Sequence, residues 1–234
     1  MVDLMKSKME AFFESNRHAI EEGIRKYNTV LTRTSETLAG DDTFKKAFSS
    51  FYQLKFYKQD PEEAQLKQQY FNLMQQHYID SSAFNPYLDF QKVLNEMHTF
   101  CDKVQMSFAS KLLHTIYPQE CPIYDSIVGN LHFGISRKND IKKGSAALMD
   151  YYNKYSLFCN SEEAKEIISL FKEAFPASAS FSDYKIIDFV LWRDRSEENL
   201  LFAKEWISYV IAKQRIKQLE MSIHPYSVSL CKSH

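Results

Sequence analysis

The sequence predicts an all-α, multi-helix fold, and three observations predict it. Apolar residues recur three or four apart along most of the chain, the period of a helix with one buried face. Glycine is scarce, 5 in 234 residues, so few breaks separate these long runs and an all-β fold is disfavoured. Helix-start signals recur as well, as at Asp60-Pro61-Glu62-Glu63, where Asp60 caps, Pro61 fits the first turn and the glutamates complement the helix dipole.

Taken in order, Val2 to about Leu31 carries apolar residues at helical spacing, with Asn16 as a possible break into two helices. Thr32–Asp42 is polar and reads as a loop. A helix from about Thr43 sets Phe44, Phe48, Phe51, Tyr52 and Phe56 on one side. The helix opened by Asp60 runs to about Tyr78, and Ser81–Pro86 turns. Tyr87 to about Cys101 and Ser107 to about Ile116 are helical. Tyr117–Pro122 is a loop, because its two prolines cannot both sit inside a helix. A short helix lies between about Asp125 and Gly134, and Ser136–Gly144 reads as a basic loop. Ser145–Phe158, Ser161–Phe175, Ser182–Trp192 and Glu197 to about Met221 complete the helices, Ser161 and Ser196 each preceding two glutamates. The organisation is a helical region over 1–80, a helical core over 81–221 and a poorly ordered tail over 222–234, the first two forming one compact unit.

Composition excludes several functions. No GxGxxG or GKS/GKT string exists, which argues against dinucleotide and P-loop sites. HExxH, GxSxG and DxDxDG patterns are absent too, excluding the corresponding zinc proteases, α/β hydrolases and EF-hands. Cys101, Cys121, Cys159 and Cys231 are far apart and form no ligand cluster, so free thiols and no metal are expected. The charged opening Met1–Glu10 is unlike a secretory leader, and no apolar run approaches a membrane span, so a cytoplasmic protein without membrane contact is expected. The formal net charge is −1, so any nucleic acid must be met by a local basic face.

The chemistry concentrates in the segment from Val104 to Val128. A helix rich in small residues, including Ser107, Ala109 and Ser110, leads through the proline loop into Cys121-Pro122-Ile123-Tyr124-Asp125, and Asp125 opens the next helix. By position alone an aspartate here is an N-cap, and so is Ser107. Lys111 lies one turn after Ser107 on the same face, where a lysine pairs with a carboxylate, snorkels, or acts as an amine nucleophile. His114, Tyr117 and Tyr124 flank the loop and either line a pocket or pack in the core, and His132 is a further flanking histidine. Arg137, Lys138, Lys142 and Lys143 make the best local basic patch, a phosphate track or a solvated loop. Lys213, Arg215 and Lys217 sit near a helix end.

This arrangement resembles the helix-hairpin-helix DNA glycosylases, above all their adenine-mismatch and archaeal 8-oxoguanine branches. Aligned on the Pro122–Asp125 string, the position taken by lysine in bifunctional members and by serine in monofunctional ones falls on Ser107, 18 residues before Asp125. The likeness covers about 25 residues firmly and extends loosely over Phe84–Trp192, with Ser182–Phe189 similar to the family's closing helix. It implies an orthogonal helical bundle that flips a damaged or modified base out of DNA, with phage DNA a variant source, and hydrolyses its glycosidic bond without a cofactor. Asp125 would stabilise the oxocarbenium-like sugar, and Ser107, lacking an amine, implies base release without strand cleavage. Tyr117, Tyr124 and His114 would line the base pocket. Lys103 and Gln105 would meet DNA at the hairpin, with Arg137, Lys138, Lys142 and Lys143 beside them. The chain departs from the family where the hairpin's Gly-apolar-Gly is Lys103-Val104-Gln105, and the iron–sulfur cysteines are absent. A non-catalytic helical module retaining this fold is the competing expectation.

Overall fold

The computed structural model describes residues 2–55, 62–194 and 200–230, with side chains over 6–55, 62–194 and 200–220. Ten α-helices and one 3-10 turn make up its regular structure: α1 (Val2–Arg33), α2 (Asp42–Tyr52), α3 (Glu62–Ile79), α4 (Pro86–His98), α5 (Met106–Ile116), α6 (Ser126–Phe133), α7 (Ile141–Cys159), α8 (Glu162–Ala174), α9 (Asp183–Arg193) and α10 (Lys204–Leu230). No strand occurs among the described residues. The chain is an all-α multi-helix bundle.

Local chemistry sets most boundaries. Asp41 caps α2 by accepting from the Thr43 and Phe44 amides at 2.8 and 3.0 Å. Asn85 caps α4, which has Pro86 as its first residue, and Ser161 and Ser182 cap α8 and α9. The Asp60–Pro61 and Ser196 start signals lie outside the described residues.

Three expectations need correction. Asn16 does not split α1, because its side-chain amide donates to the Phe12 carbonyl 2.9 Å away and is absorbed by the helix. The basic stretch after Asp140 is helix, since Asp140 accepts from the Lys143 amide at 2.8 Å and starts α7 at Ile141. Helix α10 continues to Leu230, over most of the expected tail. It starts from a turn anchored by buried Ile207, Val210 and Ile211, and each added residue closes another backbone hydrogen bond.

One cluster of buried side chains runs from Met9 on α1 to Ile211 on α10. Helix α1 lies against α2 and α8, α4 against α5 and α7, and α10 against α6 and α7. Gly23 lets α1 approach α9 closely, for a Cβ there would stand 2.7 Å from the Phe189 ring. Lys213 and Lys217 of α10 reach Glu163 and Glu162 of α8 at 2.7 and 3.3 Å. These exposed pairs contribute little stability but fix which faces meet.

Candidate active site

A cleft of about 610 Å³ opens where α1, the end of α2, the α4–α5 hairpin, the start of α6 and α9 converge. The hairpin makes its turn with every residue at negative φ, and Gln105 precedes α5 without a side-chain cap. Close packing is supplied from the opposite side. Gly144 of α7 faces Val104, and a Cβ on it would lie 2.9 Å from Val104 Cγ1.

Asp125 is positioned by the loop before it, and three side chains pin that loop. Ser110 Oγ accepts from the Tyr124 amide at 2.9 Å and lies 3.0 Å from the Ser107 carbonyl and 3.3 Å from the Tyr124 carbonyl. His114 Nδ1 donates to the Cys121 carbonyl at 2.7 Å, and Tyr151 donates to the Ile123 carbonyl at 2.9 Å. The Tyr124 ring is held under Gly129, where a Cβ would come 2.4 Å from Tyr124 Cε2. The small-residue pattern of α5 thus fastens Asp125 to the helix that carries Ser107 and Lys111. Asp125 Oδ1 caps α6, accepting from Ile127 and Val128 at 2.9 and 3.4 Å, while Oδ2 has no hydrogen bond among the described residues.

The cleft floor holds an unusual set of buried charges. Lys111 is 7% exposed; its Nζ donates to the Tyr52 carbonyl at 3.3 Å and lies over the Phe108 and Tyr52 rings. Burial pulls this ammonium down to about 8, against the attraction of Asp125 and Asp188. Lys185 donates to Asp188 Oδ2 at 2.6 Å and sits 4.5–5.2 Å from the ring centroids of Tyr27, Phe51, Tyr52 and Phe189. Burial moves both partners toward neutrality, Lys185 down and Asp188 up, and their mutual attraction opposes it. The Tyr52 hydroxyl is buried without a hydrogen-bond partner among the described residues.

The cleft brings Ser107, Lys111, Asp125, Lys103, Gln105, Tyr124 and Arg137 together. Tyr124 lines it with its ring packed edge-on against Tyr151. His114, Tyr117, Lys138, Lys142 and Lys143 lie outside the lining. His114 is fully buried and accepts from the Tyr27 hydroxyl at 2.8 Å, and burial drives it down to about 3. Tyr117 packs on Phe84 on the far side of α5. His132 lies in the core between the carbonyls of Asp194 and Phe202. Cys101, Cys121 and Cys159 are buried, and Cys231 lies outside the described residues.

Sequence reading missed Lys185, Asp188 and Tyr52. Lys185 and Asp188 did leave a signal, two opposite charges one turn apart in an otherwise apolar Lys185–Leu191 run. Tyr52 left none beyond its helical spacing.

Seven cationic and four acidic side chains line the cleft, a local positive excess in a chain whose net charge is −1. No group of three or more His, Cys, Asp or Glu able to hold a metal ion occurs among the described residues. No helix among them is long and apolar enough to cross a membrane. No family model, curated protein or solved structure matches the chain.

Proposed function

We propose that this protein is a monofunctional DNA N-glycosylase that removes a damaged or modified base, acting in the cytoplasm on cellular or phage DNA. The observation that carries the reading is the convergence of Asp125, Ser107 and Lys111 on one cationic cleft, with Asp125 held by a loop clamped to α5. The α4–hairpin–α5 order and the Pro122–Asp125 string support it through their likeness to the helix-hairpin-helix glycosylases.

The chemistry follows from the carboxylate. As the glycosidic bond lengthens, positive charge builds on the sugar, and a fixed carboxylate stabilises it. Asp125 Oδ1 is tied to two α6 amides, which fixes the side chain, and Oδ2 is left for the sugar or for the attacking water. Ser107 offers no amine at the position lysine takes in bifunctional members, so water is the nucleophile in this reading. Lys103 and Arg137 are exposed at the cleft and would neutralise flanking phosphates.

One observation favours the second reading, a non-catalytic helical module. Asp125 is a complete N-cap, a role that needs no substrate. Counting abasic sites decides between them. Wild-type protein incubated with duplexes bearing a panel of damaged and modified bases releases base, and Asp125→Asn, which retains a capping oxygen, does not. Absence of release from every substrate, with no DNA binding, would leave the module reading.

A further inference from the structure

The cleft floor carries more polar capacity than the fold uses. Lys111 Nζ has three N–H donors and, among the described residues, one hydrogen bond, to a backbone carbonyl. The Tyr52 hydroxyl, on a residue 8% exposed, has no hydrogen bond among the described residues. Asp188 accepts from Lys185 through Oδ2, and Oδ1 has no hydrogen bond among the described residues. All three residues line the cleft, and Lys111 and Asp188 act on each other electrostatically. Buried polar groups are ordinarily satisfied, and an orphan hydroxyl carries a desolvation penalty. Donors and an acceptor left unused side by side at the bottom of a cleft await a ligand with the complementary edge.

We propose that Lys111, Tyr52 and Asp188 form a recognition subsite for a lactam edge, a ring carbonyl beside a ring N–H, on the base drawn into the cleft. The proposal rests on the glycosylase reading and names its substrate class. Lys111 and Tyr52 donate to the carbonyl oxygen, and Asp188 Oδ1 accepts from the neighbouring N–H. Phe51 and Phe189, which flank Lys185 and line the cleft, supply the apolar wall behind this edge. Adenine presents the reverse pattern, an amino donor beside an unprotonated ring nitrogen, and meets two donors and a carboxylate that it cannot satisfy. A site built to pair specific polar groups rejects the analogue that leaves them unpaired.

The test uses three duplexes differing at one nucleotide, each opposite guanine: a tetrahydrofuran abasic analogue, 2′-fluoroarabino-inosine and 2′-fluoroarabino-adenosine. The two bases share a purine shape and differ only at the edge in question, and the fluorine prevents hydrolysis. Fluorescence anisotropy gives the dissociation constants. The expected result is inosine bound about tenfold or more tighter than adenosine, the scale of one charge-assisted hydrogen bond. Lys111→Met and Tyr52→Phe each pull that ratio toward one, and Tyr52→Phe, which changes no charge, leaves tetrahydrofuran binding unchanged. Tyr52→Phe does so with an unlowered melting temperature, because the hydroxyl it removes has no hydrogen bond among the described residues, so a loss of discrimination cannot be a loss of folding. Equal binding of the two bases, tighter binding of adenosine, or a ratio that survives both substitutions overturns the subsite while tetrahydrofuran binding keeps the glycosylase reading alive. Tetrahydrofuran bound no better than an unmodified duplex overturns both.

Discussion

Lowering the pH should strain the fold at one identifiable point, His114. The ring is fully buried, with Nδ1 donating to Cys121 and Nε2 accepting from Tyr27, so the fold demands the neutral form. Burial lowers its pKa from 6.5 to about 3, with Lys185 adding to the effect. In the unfolded chain the same histidine titrates near its ordinary value. Between these two values the unfolded state binds more protons than the folded one. Stability is therefore fully present above about 6.5 and falls as the pH drops toward 3. Between pH 7 and 5 the loss from this residue is about 2 kcal/mol, from 1.4 kcal/mol per pH unit below the unfolded pKa. Urea unfolding followed by helical circular dichroism, on wild type and His114→Gln at pH 7, 6 and 5, isolates this part. The variant starts lower, having lost two buried hydrogen bonds, but declines less with pH by that 2 kcal/mol. A decline equal in the two proteins would refute the assignment of a neutral buried imidazole.

Lys111 gives a second pH signature of the opposite range. Its folded pKa of about 8 lies below the ordinary 10.5, so stability rises with pH across that window by up to about 3 kcal/mol, and Lys111→Met flattens the rise in the same unfolding assay. Asp188→Asn leaves the Lys185 ammonium buried without its counter-charge and should cost about 3–5 kcal/mol, read as a lower urea midpoint. Ser110→Ala strips the acceptor from the buried Tyr124 amide, costs about 1–3 kcal/mol, and lowers base release beyond what the stability loss explains, since Asp125 follows Tyr124 directly. Gly129→Ala drives a methyl into the Tyr124 ring and should destabilise by about 1–3 kcal/mol, measured by thermal melting.

The helices were legible because their buried faces are written in Phe, Tyr, Leu and Ile at a fixed period, and their starts in Asp, Asn and Ser. Asp125, Ser110 and Ser182 all sit where a cap or a small residue reads as such. What failed was local grammar overruled by continuation: Asn16 met its own helix carbonyl, and Asp140 started α7 ahead of a basic stretch that reads as loop. At the site, residues of one continuous segment were found because helix and loop place them predictably, Ser107, Lys111 and Asp125 among them. The floor is assembled from α2, α5 and α9, far apart in the chain, and only the three-dimensional packing brings Tyr52, Lys111 and Asp188 together. His114 illustrates the converse, a polar residue beside a suggestive loop that the fold uses as a buried strut.

The contact between Gly144 and Val104 bears on how such chains are recognised at all. A side chain of the turn seats against a helix only where that helix lacks one of its own, and here the bare surface is Gly144 of α7, facing the Val104 side chain. A motif written as glycines within a turn records bare positions at 103 and 105, whereas here the residue between them, Val104, keeps its side chain and the vacancy that receives it sits 40 residues downstream, at Gly144. The two positions form a compensating pair: enlarging Gly144 should be tolerated when Val104 is trimmed to alanine, so drift at one site is free to follow drift at the other while the bend itself stays put.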